Sequence, residues 1–263
     1  MIKTLCILLL FVSSSTASAS SSCFLATENN KILAQEGDCK TRYSPASTFK
    51  IPLALMGYDA QILQNETHPE WPFKEGYYDF LDIWKVPHNP RTWMRDSCVW
   101  YSQLLTQKLG MNKFQDYVTK FDYGNLDVSG DKGKNNGLTH SWLSSSLEIS
   151  PEEQAAFLQK FLNHELPVSE KAYEVTKKLL YKEELSGGWK LYAKSGNGRQ
   201  FNSKPQTLDV QHGWFVGWIE KNGRSIMFAS HIVDDKKQEV FASFRARNAA
   251  QNKLWKLIEE LEK

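Results

Sequence analysis

The spacing of apolar and polar residues predicts β-strands at the two ends of the chain. Two short apolar runs, 23–26 and 32–34, flank an Asn-rich turn, which indicates a β-hairpin. Three further runs in the last third have the character of strands, and Asn222-Gly223 is a strong hairpin signal between two of them. These runs cover residues 190–195, 213–220 and 225–233.

Between these strands the apolar spacing becomes helical. Ser150, Pro151 and Glu153 form a capped helix start, because serine caps the first turn and the glutamate can reach back to it. The stretch 65–90, with four prolines and many aromatic residues, is predicted as an ordered loop, and 122–137 as turns. The predicted helices cover residues 47–60, 93–109, 112–121, 151–164, 168–180 and 241–262. On the last helix, the predicted buried side consists of Phe244, Ala250, Leu254, Leu257 and Leu261.

This order of elements predicts an α+β fold. One central antiparallel sheet is built from both chain ends and flanked by helices, with a helical region inserted between the two sets of strands. Residues 1–19 combine Lys3, a short apolar run and the small residues Ala17-Ser18-Ala19, the pattern of a cleaved secretory signal peptide. We therefore expect a single domain over residues 20–263, periplasmic or secreted, with no membrane attachment after signal removal.

Composition excludes some classes of function. The net charge of the 263 residues is only +2, and no sustained Lys/Arg run suggests nucleic-acid binding. No Cys/His spacing indicates a metal site. After loss of Cys6 with the signal, Cys23, Cys39 and Cys98 remain, so at most one internal disulfide can form. Cys23 and Cys39 are the closest pair in sequence, but the sequence leaves the pairing open.

Ser47 and Lys50 are the first candidates for chemistry. They lie three residues apart at a predicted helix start, so their side chains share one face. A serine hydroxyl becomes a good nucleophile when a neighbouring base takes its proton. The apolar run 51–56 predicts a buried Lys50 with a lowered pKa, which could be that base, although an ordinary helix start has the same spacing. A second such pair, Ser129 and Lys132, lies in a Gly- and Asn-rich stretch and is predicted as loop.

Three further short motifs follow in order. Ser97-Cys98-Val99 lies at a helix start, Tyr123-Gly124-Asn125 in a turn, and Lys194-Ser195-Gly196 at the end of a predicted strand. Together with Ser47 and Lys50 they resemble the motifs of the class D β-lactamases, members of the penicillin-recognising serine enzymes. Trp142-Leu143 matches the tryptophan-leucine pair that the family places beside its active-site lysine. The resemblance covers essentially the whole mature chain.

The resemblance implies hydrolysis of β-lactam antibiotics, with a role for each motif residue. Ser47 would form an acyl-enzyme, and Lys50 would carry a carbamate made from carbon dioxide or bicarbonate, the general base for acylation and deacylation. No other cofactor and no metal is implied. Ser97 would relay a proton to the lactam nitrogen. The remaining implied residues are Val99, Trp142 and Leu143 around the lysine, and Lys194, Ser195 and Gly196 at the substrate.

Some implied roles leave alternatives open. Arg245, with Arg247 as its rival, would bind the substrate carboxylate, although either arginine can equally be a solvated residue of a helix start. Tyr123 and Asn125 can support the site or simply form a turn. Trp93 and Met94 are better explained by core packing than by lining the cleft.

Two rival functions share these motifs. A penicillin sensor domain binds the drug covalently without turnover, and a transpeptidase crosslinks cell wall. Both are normally attached to membrane anchors or further domains. A noncatalytic secreted protein would require all four motifs to be accidental. The expected partner is a small β-lactam, and the chain is expected to be a monomer or a homodimer.

Overall fold

The computed structural model describes residues 22–199 and 210–263. In these ranges six strands form one antiparallel sheet, in the order β2-β1-β6-β5-β4-β3. The first strand, β1, lies between β2 and β6, so both chain ends build the sheet, which confirms the predicted α+β fold. The predicted signal segment 1–19 lies outside the described residues. The strands are β1 Cys23–Glu28, β2 Lys31–Gly37, β3 Tyr181–Glu184, β4 Lys190–Arg199, β5 Gln211–Lys221 and β6 Arg224–Val233.

Two tight turns explain why the β1–β2 and β5–β6 hairpins form where the sequence predicts them. Asn29 and Asn30 have φ of 48° and 62°, and Asn222 and Gly223 have φ of 50° and 78°. This left-handed geometry matches the twist of the flanking strands, and asparagine and glycine adopt it most readily. Strand β3 was not predicted, because all four of its residues are exposed and it has no apolar alternation.

The helical region holds the largest departure from the predicted helices. The single helix expected over 93–109 is two helices, because the chain turns at Ser97, which has a left-handed φ of 58°. Asn89 and Pro90 begin the first of them with a capping box, one turn earlier than expected. The helices are α1 Lys50–Asp59, α2 Pro90–Asp96, α3 Val99–Leu109, α4 Met111–Lys120, α5 Gly137–His140, α6 Pro151–Leu162, α7 Glu170–Leu180 and α8 Ala242–Leu261.

The sheet separates two hydrophobic cores. One face packs against the inserted helices, and α1 lies so deep in this core that all of its residues except Asp59 are buried. The other face packs against α8 through Ala246, Ala250 and Leu254. The prediction that Phe244 belongs to this buried side is wrong, since its side chain is 47% exposed. Phe244 lies two positions before Ala246, about 200° away around the helix.

Cys23 and Cys39 form a disulfide that connects the start of β1 to the chain just beyond β2, while Cys98 is a buried free thiol.

Within the described ranges, no helix combines the length and the apolar content needed to cross a membrane. The same ranges contain no group of three or more His, Cys, Asp or Glu residues arranged to hold a metal ion.

We expect the double variant Cys23→Ala/Cys39→Ala to be less stable, because the cross-link restricts the unfolded chain. For a sequence separation of 16 residues, the free energy of unfolding should fall by about 3 kcal/mol, measured by urea unfolding. A reductant should lower the stability of the native protein to the same level and leave the variant unchanged. Equal stability of both proteins without reductant would contradict the prediction.

Candidate active site

Ser47 lies in a short 3-10 turn, Ala46–Phe49, that runs directly into α1. This helical continuity places Lys50 one turn above the serine, and the Lys50 Nζ donates a hydrogen bond to the Ser47 Oγ at 3.3 Å. Ala46 has a left-handed φ of 48°, which is unfavourable for a residue with a Cβ. Such local strain is typical of functional turns. Ser47 itself is half-buried, so its hydroxyl remains accessible.

Lys50 is almost completely buried, with 1% of its surface exposed. In the part of the chain that the structure describes, it has no carboxylate partner, and Ser47 is the side chain that accepts its hydrogen bond. Burial without a counter-charge disfavours the ammonium form and lowers the pKa of Lys50 to about 7. A neutral amine is therefore available at physiological pH.

The residues predicted from the sequence to form the lysine pocket belong to the hydrophobic core of the helical region or pack against it. Val99, the first residue of α3, is buried, and Leu143 is half-buried. Trp142 is fully buried and stacks on Phe49, the neighbour of Lys50, with ring centroids 5.5 Å apart. The Trp142 indole N–H has no hydrogen-bond partner among the described residues. An unsatisfied buried donor is costly, so this N–H is suited to an acceptor that enters the pocket.

Lys194 and Ser97 meet although they lie 97 residues apart. The Lys194 Nζ donates a hydrogen bond to the Ser97 Oγ and another, of 2.9 Å, to the carbonyl of Ser195. Lys194 is buried, and its pKa is lowered well below the ordinary value by desolvation and then by the charge of Lys50. The motif does not end its strand as predicted, because β4 continues to Arg199 in register with β5.

Gly196 brings this strand close to the nucleophile. A Cβ added at Gly196 would lie 2.9 Å from the Pro45 carbonyl oxygen and 3.2 Å from the Ser47 amide nitrogen. Only a residue without a side chain permits this approach. Ser195, between Lys194 and Gly196 on the same strand, is half-buried. The structure therefore brings Ser47, Lys50, Ser97 and the Lys194-Ser195-Gly196 segment together.

The chain matches the family model of the penicillin-binding protein transpeptidase domain over residues 16–255. The β-lactamase OXA-9 of Klebsiella pneumoniae is 47% identical over 218 residues, which are 82% of this chain and 79% of the relative. The β-lactamase OXA-1 of Escherichia coli is 44% identical over 233 residues, 87% and 82% of the two chains. The chain belongs to the class D β-lactamases.

Solved structures agree with this membership. The crystal structure of the class D β-lactamase OXA-427 has a TM-score of 0.86 and 44% identity, and the match covers 91% of this chain and 99% of that one. The C-terminal domain of the Bacillus licheniformis BlaR penicillin-receptor has a TM-score of 0.77 and 27% identity, with 90% of each chain covered. The class D fold is thus similar to that of a penicillin receptor as well.

In this class D chain, the Tyr-Gly-Asn turn is a support. Asn125 donates to the Ser146 carbonyl at 2.8 Å and accepts from the Glu148 amide at 3.0 Å, so it anchors the segment that follows Trp142. Tyr123 is fully buried, with its ring 5.3 Å from Phe49, and burial raises the pKa of its hydroxyl. Both observations favour a structural role.

The other residues singled out in the sequence have partners of their own. Arg245 donates through Nη2 to both carboxylate oxygens of the buried Asp234, at 2.7 and 2.6 Å. The Arg247 guanidinium lies over the ring of the exposed Phe244, 5.6 Å from its centroid. Trp93 and Met94 are fully buried in the helical core, as the core-packing interpretation predicted.

Sequence reasoning missed Ser44, three residues before the nucleophile. Its hydroxyl donates to the Trp142 carbonyl at 2.7 Å and accepts from the Ser144 amide at 2.8 Å, and its carbonyl accepts from the Trp214 indole at 2.9 Å. Ser44 therefore joins the Ser47 turn to the lysine pocket and to the sheet. Its partners are about 100 and 170 residues away, so no local signal identifies it.

The two arginines should differ in their effect on stability. We expect Arg245→Ala to lower the free energy of unfolding by about 1–3 kcal/mol, because it removes a charged hydrogen-bond donor from the buried Asp234 carboxylate. Arg247→Ala, the matched control, should change it by less than about 0.5 kcal/mol. Urea unfolding of the two variants measures the difference, and equal effects would contradict it.

Proposed function

We propose that this class D chain hydrolyses β-lactam antibiotics through an acyl-enzyme on Ser47. The observation that carries the proposal is the buried Lys50 amine, 3.3 Å from the Ser47 hydroxyl and with a pKa of about 7. Transfer of the serine proton allows Oγ to attack the lactam carbonyl and break its bond to nitrogen. Water then releases the acyl group from the same serine.

We further propose that Lys50 is N-carboxylated. A neutral amine adds carbon dioxide and releases one proton, and the lowered pKa provides that neutral form. Two features support the modification: the burial of Lys50 beside the apolar helical core, and the unsatisfied indole N–H of Trp142 on the ring stacked against Phe49. The carbamate supplies a general base for the proton of Ser47 and, later, for that of the attacking water.

Ser97 and Lys194 are suited to protonate the leaving nitrogen. The Ser97 hydroxyl, which accepts from the Lys194 Nζ, can donate its own proton to the lactam nitrogen as the ring opens. The pKa of Lys194 is lowered in part by the Lys50 cation. Replacing that cation with an anion reverses this contribution and favours the charged form of Lys194. A charged Lys194 beside the Ser195 hydroxyl attracts the substrate carboxylate.

Arg245 remains our candidate for a second contact with the substrate carboxylate, with Arg247 as the alternative. Asp234 neutralises much of the Arg245 charge but also fixes the orientation of its guanidinium. Arg247 has the greater freedom, because its partner is the exposed ring of Phe244. Steady-state kinetics of Arg245→Ala and Arg247→Ala distinguish them, since loss of the carboxylate contact raises KM.

A covalent sensor is the second candidate, because a penicillin-receptor domain has the same fold at a TM-score of 0.77. A sensor forms the same Ser47 adduct but does not release it. Intact mass after mixing with a penicillin separates the two functions. An adduct that disappears as product accumulates supports hydrolysis, and a stable adduct without product supports the sensor. The exported location and the monomeric or dimeric state remain predictions.

Replacing the two motif residues should separate acylation from deacylation. We expect Ser47→Ala to reduce kcat/KM by about 10³-fold or more, because the nucleophile is lost. Lys50→Ala should slow deacylation by about 10²–10⁴-fold and accumulate the acyl-enzyme. Burst kinetics and intact mass measure both effects. Ser129→Ala and Lys132→Ala are matched controls, since that Ser-x-x-Lys pair is exposed and should leave turnover unchanged.

Turnover should depend on bicarbonate in a pH-dependent way. Only the neutral Lys50 amine adds carbon dioxide, and its fraction falls as the pH drops through about 7. Without added bicarbonate, we therefore expect the initial rate to decline below this pH, and bicarbonate to restore part of it. NMR with isotope-labelled bicarbonate should show a carbamate signal that is absent in Lys50→Ala. Rates insensitive to bicarbonate, with no such signal, would disprove carboxylation.

A further inference from the structure

Two histidines form a buried pair beside the active-site strand. His212 on β5 and His231 on β6 are both fully buried, and the His212 Nδ1 lies 3.1 Å from the His231 Nε2. Since one ring must donate and the other accept, the pair shares one proton when both imidazoles are neutral. The His231 Nδ1 has no hydrogen-bond partner among the described residues. The mechanism above uses neither side chain.

The pair contacts the segment that leads into the nucleophile. The Tyr43 ring lies 4.4 Å from the His231 ring and 5.7 Å from the His212 ring, measured between centroids. The Trp214 ring lies 3.9 Å from the His231 ring, and its indole N–H donates to the Ser44 carbonyl at 2.9 Å. Of two consecutive residues in this segment, Tyr43 thus contacts the histidine pair directly and Ser44 through Trp214.

Strand β4 leaves space for both features. A Cβ added at Gly198 would lie 2.1 Å from the His212 Nε2, so the imidazole fills the place of a side chain. Two residues earlier, Gly196 admits the Ser47 turn in the same manner. Alternate residues of a strand share one face, so Gly196 and Gly198, about 7 Å apart along β4, admit the Ser47 turn and the His212 ring on the same face.

We propose that the His212–His231 pair is a positioning unit for acylation, which holds the Tyr43–Ser44 backbone, and through it Ser47, in the attacking geometry. The inference rests on the proposed function, because the experiments that test it measure the rate at which Ser47 is acylated. The contact runs from His231 through the Trp214 ring to the Ser44 carbonyl. From Ser44 the path continues along the chain to Ser47. A second branch runs from the Ser44 hydroxyl to the carbonyl of Trp142 in the lysine pocket.

A charge on the pair would break this arrangement. Tyr43, Trp214 and Gly198 are the groups packed against the rings, and no carboxylate or lysine in the described part of the chain stabilises a charge on them. Burial lowers the pKa of His212 to about 4 and that of His231 well below its ordinary value. Unfolded histidine binds its proton near pH 6.5, so stability falls from there towards pH 4. Within the folded protein, the pair opens only near pH 4.

Two sets of variants test the pair. His231→Leu removes the hydrogen bond, and we expect single-turnover acylation at neutral pH to slow by about 10- to 100-fold with little change in substrate affinity. In the double variant His212→Asn/His231→Gln, side-chain amides take the places of the two facing ring nitrogens and can keep the hydrogen bond. Neither amide gains a proton in the pH range of the experiment. This double variant should stay within a few-fold of the native rate. His164→Gln, which changes an exposed histidine, is the matched control.

The acid limb of the pH profile, where the acylation rate falls as the pH drops, distinguishes a positioning role of the pair from simple packing. In native protein that circular dichroism shows to be folded, acylation should fall as the pH approaches 4. Protonation of the Lys50 amine slows acylation of the native protein and of the double variant alike below pH 7, so the readout is the ratio of their acylation rates. The native rate should fall relative to that of the double variant as the pH approaches 4, because the double variant has no imidazole pair to protonate. Native acylation rates in His231→Leu, or a ratio that stays constant as the pH approaches 4, would overturn the proposal.

Trp214→Phe provides a second test if His231→Leu does not fold. It keeps an aromatic ring against His231 but removes the donor to the Ser44 carbonyl. We expect slower acylation and unchanged substrate affinity, and native acylation would refute the path through Trp214. Failure of the proposed function itself is distinguishable, because the native protein would then form no adduct on Ser47 at any pH.

Discussion

Burial of the Lys50 amine without a carboxylate partner is the constraint on which the rest of the site depends. An unpaired charge is unstable in an apolar interior, so the lysine becomes neutral near pH 7. The burial arises because the 3-10 turn of Ser47 runs straight into α1, which is surrounded by other elements. Reactivity is therefore a consequence of packing: the same Ser-x-x-Lys spacing at Ser129 is exposed and has no such property.

The second buried lysine makes the site electrostatically coupled. Lys194 reaches Ser97 from the opposite layer of the fold, and the charge of Lys50 lowers its pKa. Two buried cations oppose each other, whereas an anion at Lys50 and a cation at Lys194 stabilise each other. Carboxylation would thus change the charge state of both lysines at once. The hydroxyls of Ser47 and Ser97 each accept from one of these amines. In the proposed mechanism, one pair removes a proton and the other delivers one.

Ser47, the proposed nucleophile, lies where the sheet and the helical layer meet. Gly196 lets β4 approach the Ser47 turn, and Gly198 leaves space for His212. Ser44 connects this junction to Trp142 and to the indole of Trp214. Each connection joins residues that are far apart in sequence, so the geometry of the nucleophile is a property of the assembled layers. The left-handed Ala46 is tolerated because these neighbours hold the turn on both sides.

The sequence by itself determined whatever depends on neighbouring residues. The Ser47–Lys50 spacing, the capped start at Ser150 and the Asn222-Gly223 turn are local, and each appears in the structure as predicted. Only the tertiary structure decided the rest. The chain turns at Ser97 without glycine or proline, Arg245 pairs with Asp234, and Cys23 joins Cys39 rather than Cys98. The histidine pair had no local signal either, because its partners lie on separate strands. Such contacts depend on distances that arise only when the sheet and helices pack together.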